Sequence, residues 1–396
     1  MAAPPTQSHL SQPSRQFDAV SAALGGLIAI AAALGVGRFV YTPILPTMIE
    51  ALGLSKSEAG LIASANFAGY LIGALFAATP KLGGSRRLWL LGSLATSAVT
   101  TAGMGLTQTL AAFLVLRFVG GAASAFVLIF SSTIVLERLA EAGRSGLSAL
   151  HFAGVGTGIA LSAVLVAGLL NLGHNWQSLW LASGGLTFAA LIADAMLLPQ
   201  SVTPTAQPGG PASKATSSGL RRLVIAYGLF GFGYVITATF LVAIVRASPK
   251  IHALEPVIWV VFGVAAMPSV ALWARIAKPL GIPATFAAAC IVEALGVLSS
   301  VVWPSPLGVF LAAILVGGTF MGLTALGLMG ARARATDDPH RVLALMTGAF
   351  GVGQIVGPVF AGIVSDRLGN FTAPSIVAAL ALLVAALIQL DRFGSS

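Results

Sequence analysis

Two arginines stand where the surrounding residues leave little water to solvate them. Arg38 lies in Leu34-Gly35-Val36-Gly37-Arg38-Phe39-Val40-Tyr41, just ahead of Thr42-Pro43 and Pro46; Arg117 is followed by Phe118-Val119-Gly120-Gly121-Ala122-Ala123. A charge at the centre of a bilayer costs roughly 2.5–3.5 kcal/mol on insertion scales, so it has to meet a partner, water or a cavity. The chemistry such groups support is the binding and gating of a charged solute. For Arg38 the alternatives are a cavity position, snorkelling to the interface, or capping of a helix end weakened by the neighbouring glycines and prolines. For Arg117 they are a cavity or gate position and a hydrogen-bond hub between helices that small residues bring close.

The acids are fewer. Glu293, in Cys290-Ile291-Val292-Glu293-Ala294, lies deep in an apolar run and is a candidate proton carrier, with pairing at a helix contact as the alternative. His151, expected near the inner surface, is a second proton-linked candidate. Asp194 and Asp391 fall near the ends of two apolar runs, which predicts an interfacial place for both. Tyr41, Asn66, Tyr234, Trp259 and Gln354 are neutral groups able to line a pathway. Asn66 and Gln354 sit beside Gly69-x-x-x-Gly73 and Gly353-x-x-x-Gly357, spacings that mark tightly packed helix faces, while Trp259 also suits an outer interfacial anchor.

Bond-making chemistry has little to stand on. His9, His151, His174, His252 and His340 are scattered, with no HExxH pair, and no GxxxxGK[ST] loop supports ATP hydrolysis. The lone Cys290 offers neither a disulfide nor a metal cluster and reads as a small packing residue. No enzyme activity, metal or cofactor is expected.

The elements that carry these residues follow from composition. With 57% hydrophobic and 8% charged residues in 396, too few ionisable groups exist to solvate a globule, and the chain is an integral membrane protein. Apolar runs of about 20 residues, the length of a spanning helix, are expected over 20–48, 57–79, 88–107, 110–136, 147–170, 176–198, 222–245, 255–277, 283–303, 306–331, 342–365 and 371–391. This predicts an all-α protein with twelve transmembrane helices. The stretch from Pro199 to Gly219, rich in Pro, Ser, Thr, Ala and Gly, reads as a linker. The expected organisation is a tail (1–18), a six-helix bundle (19–198), a linker (199–220), a second six-helix bundle (221–392) and a short tail (393–396).

Charge gives this arrangement a direction, because Lys and Arg accumulate in cytoplasmic loops. With cytoplasmic termini, fifteen of the 21 cations lie inside, four (Lys56, Arg246, Lys250, Arg367) lie outside, and Arg38 and Arg117 remain in the membrane. The net charge of +9 is thus topological, and nucleic-acid binding is not expected. The first eighteen residues lead into a run too long for a signal-peptide core, so the first helix is expected to be uncleaved.

Internal repetition supports two copies of one unit. Val119-Gly120-Gly121 returns as Val316-Gly317-Gly318 and Gly154-Val155-Gly156 as Gly351-Val352-Gly353, both 197 residues on; Gly35-x-Gly37 returns as Gly231-x-Gly233 one residue short of that offset. Tandem helical copies are a transporter signature. The expected hinge and packing residues are Gly37, Pro43, Gly69, Gly73, Gly120, Gly121, Gly154, Gly317, Gly318, Gly353, Gly357 and Pro358. The expected cavity or gate residues are Arg38, Tyr41, Asn66, Arg117, Tyr234 and Gln354.

Over residues 20–392 the chain resembles the major facilitator superfamily. Arg117-x-x-Gly120-Gly121-x-Ala123 is similar to its helix 4 arginine motif, and His151-Phe152-Ala153-Gly154-Val155-Gly156-Thr157-Gly158 stands where its antiporter motif would be. More narrowly, Gly35-Val36-Gly37-Arg38-Phe39-x-Tyr41-Thr42-Pro43-x-Leu45-Pro46, Ser64-Ala65-Asn66-x-x-Gly69-Tyr70 and Gly353-Gln354-Ile355-x-Gly357-Pro358 resemble the YbfB/YjiJ branch. The resemblance implies a bacterial inner-membrane secondary transporter of a small solute, working by alternating access.

Departures from the superfamily pattern are specific. Its Gly-x-x-x-Asp-Arg-x-Gly-Arg-Arg loop after helix 2 is reduced here to Lys81-Leu82-Gly83-Gly84-Ser85-Arg86-Arg87, and Lys278 stands where the second half would carry an acid. The best literal match, Gly362-x-x-x-Asp366-Arg367-x-Gly369, falls on the outside after helix 11 and is expected to be a decoy in a short turn. Two intramembrane cations without an evident acidic partner suggest an anionic solute. Protons are the candidate coupling ion, a monomer is expected, and a nontransporting receptor or assembly partner is the alternative function.

Overall fold

The computed structural model describes residues 12–79, 82–198, 217–334 and 339–390. Both expected chain ends in part, most of the expected linker, and Lys81, Lys214, Asp391 and Arg392 lie outside the described residues. Among the described residues every regular element is helical.

The first span is one apolar rod broken in the middle. α1 (Gln12–Ile30) passes into a π-helical stretch (Ala31–Val36), a turn over residues 37–40, and then α2 (Tyr41–Leu52). Wide-turn bonds mark the π stretch: Gly37 N–H donates to Ala32 O at 2.8 Å and Phe39 N–H to Leu34 O at 3.2 Å. The break precedes Pro43, whose missing N–H falls in the first turn of α2, where no intrahelical partner is needed.

The remaining helices are α3 (Lys56–Ala77), α4 (Arg86–Gly103), α5 (Leu110–Glu141), α6 (Ser148–Asn171), α7 (Trp176–Leu197), α8 (Ser217–Arg246), α9 (Glu255–Ala266), α10 (Ser269–Leu280), α11 (Ile282–Val302), α12 (Pro306–Arg332), α13 (Pro339–Leu368) and α14 (Thr372–Leu390). Side chains of Ser55, Ser85, Thr109, Asn175 and Ser305 cap α3, α4, α5, α7 and α12, each accepting from a backbone N–H three residues on. Among the described residues, ten helical segments are long and apolar enough to cross a membrane, or eleven when α9 and α10, bent by 43°, count as one. Against the twelve expected, the difference is α4, which occupies the place of the third run. Its 18 residues open on Arg86-Arg87, whose charges lower its hydropathy, while its Thr96 and Thr100 hydroxyls donate to Gly92 O and Thr96 O within the helix.

α3 packs on α5 and α13, α8 on α13 and α14, α6 on α1 and α9, and α11 on α12 and α14. Shifting the chain by 197 residues carries α3 onto α9 and α6 onto α13, so the α3/α13 and α6/α9 contacts are two copies of one interface. Small residues make both possible: a Cβ on Gly60 would run into Pro358 O, and one on Gly156 into Gly263 O.

Hydrogen bonds between the two copies run along α2 and α3 of the first and α8 and α13 of the second. Thr42 Oγ1 donates to Ala238 O and Ser64 Oγ to Ile355 O, each at 2.7 Å. Arg246 pairs with Glu50 at 2.8 Å and with Glu255 at 3.1 Å. Asp366 accepts from the backbone N–H groups of Lys56 (2.9 Å) and Ser57 (2.8 Å) and from the Ser57 hydroxyl. The Gly362-to-Gly369 motif is therefore no decoy. Its carboxylate caps the positive N-terminus of α3 from the other copy, a contact that α13's length alone brings into range.

Candidate functional site

A cavity of about 140 Å³ lies between the two copies, lined by Arg38, Phe39, Tyr70, Tyr234, Phe320 and Phe350 among others, and it reaches Phe152 near the start of α6 and Leu328 near the end of α12. It opens below the break in the first span, because the broken rod turns Arg38 inward. Arg38 is 6% exposed. Its guanidinium carbon lies 4.5 Å from the ring centroids of both Phe67 and Tyr70, and 5.4 Å from that of Phe39. Its Nε and Nη2 are shielded from solvent and have no hydrogen-bond partner.

The opposite wall is a row of rings. Tyr234 lies parallel to Phe320 at 5.6 Å and to Phe350 at 5.9 Å, with interplanar angles of 12° and 6°. Phe350 stacks in turn on Tyr227 at 4.9 Å. Gln354 Nε2 donates to the Tyr234 oxygen, which leaves the Tyr234 hydroxyl its own proton to donate. Gln354 itself is fully buried behind the wall, with Oε1 unpartnered.

Arg117 stands beside the cavity. Its Nη1 donates to Gly37 O and its Nη2 to Arg38 O, both at 2.9 Å. Those are carbonyls released by the π stretch and the turn, so Arg117 staples the broken segment and fixes the backbone from which Arg38 projects. Asn66 Nδ2 donates to Arg117 O at 2.9 Å and so ties α3 to the staple. Close approach is built in: a Cβ on Gly69 would overlap Phe118 O, and one on Gly121 would overlap Asn66 O. Tyr41 donates to Ala59 O at 2.8 Å and sets its ring 5.2 Å from the Arg117 guanidinium carbon.

Of the six expected cavity or gate residues, Arg38 and Tyr234 line the cavity. Arg117, Tyr41 and Asn66 form the support of the first, and Gln354 that of the second. The glycines sort similarly. Gly37 faces Ser97, Gly73 faces Ala122, Gly120 faces Thr100, Gly154 faces Leu27, Gly317 faces Phe262, and Gly353 and Gly357 face α8. Gly318 is different: it has open space, and its carbonyl accepts from Ser269 Oγ and Trp273 Nε1, both at 2.8 Å.

The proton-linked candidates lie elsewhere. Glu293 is fully buried at the α11/α12 contact; Oε1 accepts from Thr319 at 3.1 Å and Oε2 has no partner. His151, near the start of α6, is fully buried within the protein, with Nε2 at 3.1 Å from Ser132 Oγ, because Gly26 lets α1 close over it. Asp194, near the end of α7, is likewise fully buried, with neither oxygen partnered. Trp259, expected in a pathway or as an interfacial anchor, is 1% exposed and stacks on Phe262 at 4.5 Å. It borders a separate cleft near Arg246 and Glu255.

The aromatic lining was missed in the sequence. Phe67 and Tyr70 on α3, and Tyr227, Phe230 and Tyr234 on α8, carry the signal, since spacings of three, four and seven put rings on one helix face.

The family model described as "Uncharacterised MFS-type transporter YbfB" matches residues 30–390. A gallate transporter of Pseudomonas putida is 31% identical over 184 residues, which cover 44% of this chain and 39% of that one, so the chain matches well under half the length of that relative. A chloramphenicol resistance protein of Streptomyces lividans is 26% identical over 381 residues, covering 91% of this chain and 94% of its own. Among solved structures, the nucleoside transporter NupG superposes with a TM-score of 0.69 at 14% identity, covering 96% of this chain and all of that one. A point mutant of NupG gives 0.71 at 15% identity over 94% of this chain and all of that one.

Proposed function

Since the chain belongs to the YbfB-type family of major facilitator superfamily transporters, a family of multi-pass membrane carriers for small solutes and not of enzymes, we propose that its solute is an organic anion held at Arg38. The two copies act as six-helix halves, residues 19–198 and 221–392, of a twelve-span carrier in a bacterial inner membrane, with cytoplasmic termini and a single chain as the working unit. They rock about the cavity to expose it to one side and then the other.

The observation that carries this reading is the cation itself: Arg38 is buried between the halves, its Nε and Nη2 have no partner, and it lines the cavity. A buried charge left so is costly unless something binds it. The latched end, holding Asp366, Arg246 and Thr42, faces outward on the distribution of Lys and Arg. The structure then corresponds to a carrier closed on the outside.

The test compares metabolites inside and outside cells that lack the protein, produce it, or produce Arg38→Met. At least one small anion should redistribute with the native protein and not with the variant. If every compound moved by the native protein is moved equally by Arg38→Met, the assigned cavity is wrong. Proton coupling would run through Glu293, whose Oε2 has no hydrogen-bond partner. Internal pH of proteoliposomes should change on addition of a transported solute, and a flat trace at saturating solute sinks coupling.

A further inference from the structure

The geometry points to a small aromatic monocarboxylate as the solute of the Arg38 cavity. This rests on the reading of that cavity as the transport site and adds the chemical class. Three independent features converge on it. The first is the edge of the guanidinium: Nε and Nη2 lie on the same side of the plane, both lack partners, and the rings of Phe67 and Tyr70 take the face. Two parallel N–H groups on one edge fit the two oxygens of one carboxylate, whereas a phosphate monoester would bring more charge than the lining matches. Arg38 is the one charged residue among those that line the cavity, so one negative charge is balanced.

The second feature is the wall. Phe320, Tyr234 and Phe350 lie nearly parallel at 5.6 and 5.9 Å, so the wall offers a row of flat π systems set among aliphatic groups such as Leu128 and Val155. A flat ring meets such a wall in offset or edge-on contact, worth about 0.5–1.5 kcal/mol beyond the area it buries. The third is size and polarity. A cavity of about 140 Å³ is smaller than the roughly 300–1,000 Å³ of drug-sized sites, and its polar side chains besides Arg38 are Tyr70, Tyr234 and Thr324. One ring bearing one carboxylate matches that inventory, with the Tyr234 proton free for a ring substituent or the acid.

Full-length protein in lipid nanodiscs, titrated calorimetrically, tests the class with three probes: benzoate, cyclohexanecarboxylate and benzamide. Benzoate should bind at least tenfold more tightly than cyclohexanecarboxylate, which keeps the charge and loses the flat ring, and benzamide, which keeps the ring and loses the charge, should not bind. Arg38→Lys should weaken benzoate at least tenfold, because an ammonium is a point charge without the fork. Phe320→Leu should erase the preference for benzoate over cyclohexanecarboxylate while leaving carboxylate binding in place. Melting midpoints of both variants within a few degrees of the native value show that the fold is intact. Equal affinity of the two acids, with Arg38 dependence kept, overturns the aromatic assignment and leaves the anion carrier standing. No Arg38-dependent binding of either acid, alongside an Arg38-dependent solute in the metabolite comparison, overturns the carboxylate and again leaves the carrier. Benzoate binding indifferent to Arg38→Lys removes the site from under both.

Discussion

Arg38 and Arg117 are buried to nearly the same extent, 6% and 4% exposed, and one reaches the backbone of the other, yet their surroundings are opposite. Arg117 spends two N–H groups on the carbonyls of Gly37 and Arg38 and belongs to the architecture. Arg38 has Nε and Nη2 unpartnered and lines the cavity. Burial of a charge therefore does not identify a binding residue; the inventory of its partners does. The difference arises from the broken span, which releases carbonyls on the side of α5 and turns a side chain toward the other half.

The comparison breaks most sharply at the staple. Arg117→Met leaves two carbonyls unpaired in the membrane and removes two charge-assisted bonds, an expected loss of about 3 kcal/mol or more. The melting midpoint and the yield of monodisperse protein should both fall, and Arg117→Lys should not restore them, since an ammonium does not span two carbonyls. A native-like midpoint for Arg117→Met would place Arg117 with Arg38.

Gly121→Ala comes next, because the added methyl meets the Asn66 backbone and pushes α5 from α3. Overpacking of this kind costs about 1–3 kcal/mol. The variant should reproduce the Arg117→Met defect in milder form, with both stability and solute transport reduced. Asn66→Ala, which removes only the bond to Arg117 O, is expected to cost about 1 kcal/mol. Chemical denaturation in mild detergent resolves that shift, and a larger one would mean that Asn66 Oδ1 also matters.

Smallest of all in stability should be Arg38→Met. Replacing an unpaired buried charge by an apolar side chain of similar length is neutral or mildly stabilising, within about 1 kcal/mol. The same variant should abolish transport. A variant that loses transport and melts well below the native protein would merge the two arginines into one structural role.

Much of the fold was legible because a bilayer-spanning helix announces itself by run length alone. The apolar runs and the repeated Gly-Gly pairs both act within a few residues of chain. α4, read as the third run, has a lower hydropathy than the other spans because it opens on Arg86-Arg87. Asp366 was misjudged for a different reason. Its partners, Lys56 and Ser57, lie more than three hundred residues away, and no local pattern records that α13 ends beside the start of α3. The site was half visible: Arg38 and Tyr234 stood out by type, whereas Phe67, Tyr70, Phe320 and Phe350 read as ordinary apolar residues.

By itself, the sequence determined that this chain is a duplicated bundle of membrane helices with two cations in the apolar zone and a weak point at Gly37 and Pro43. Those are matters of solvation and backbone chemistry, fixed residue by residue. Which cation is spent on structure and which is left for a ligand was decided only in the tertiary structure. A guanidinium offers the same five donors wherever it stands, and only packing between α2, α3, α5 and α8 settles which of them meet a carbonyl and which meet a cavity.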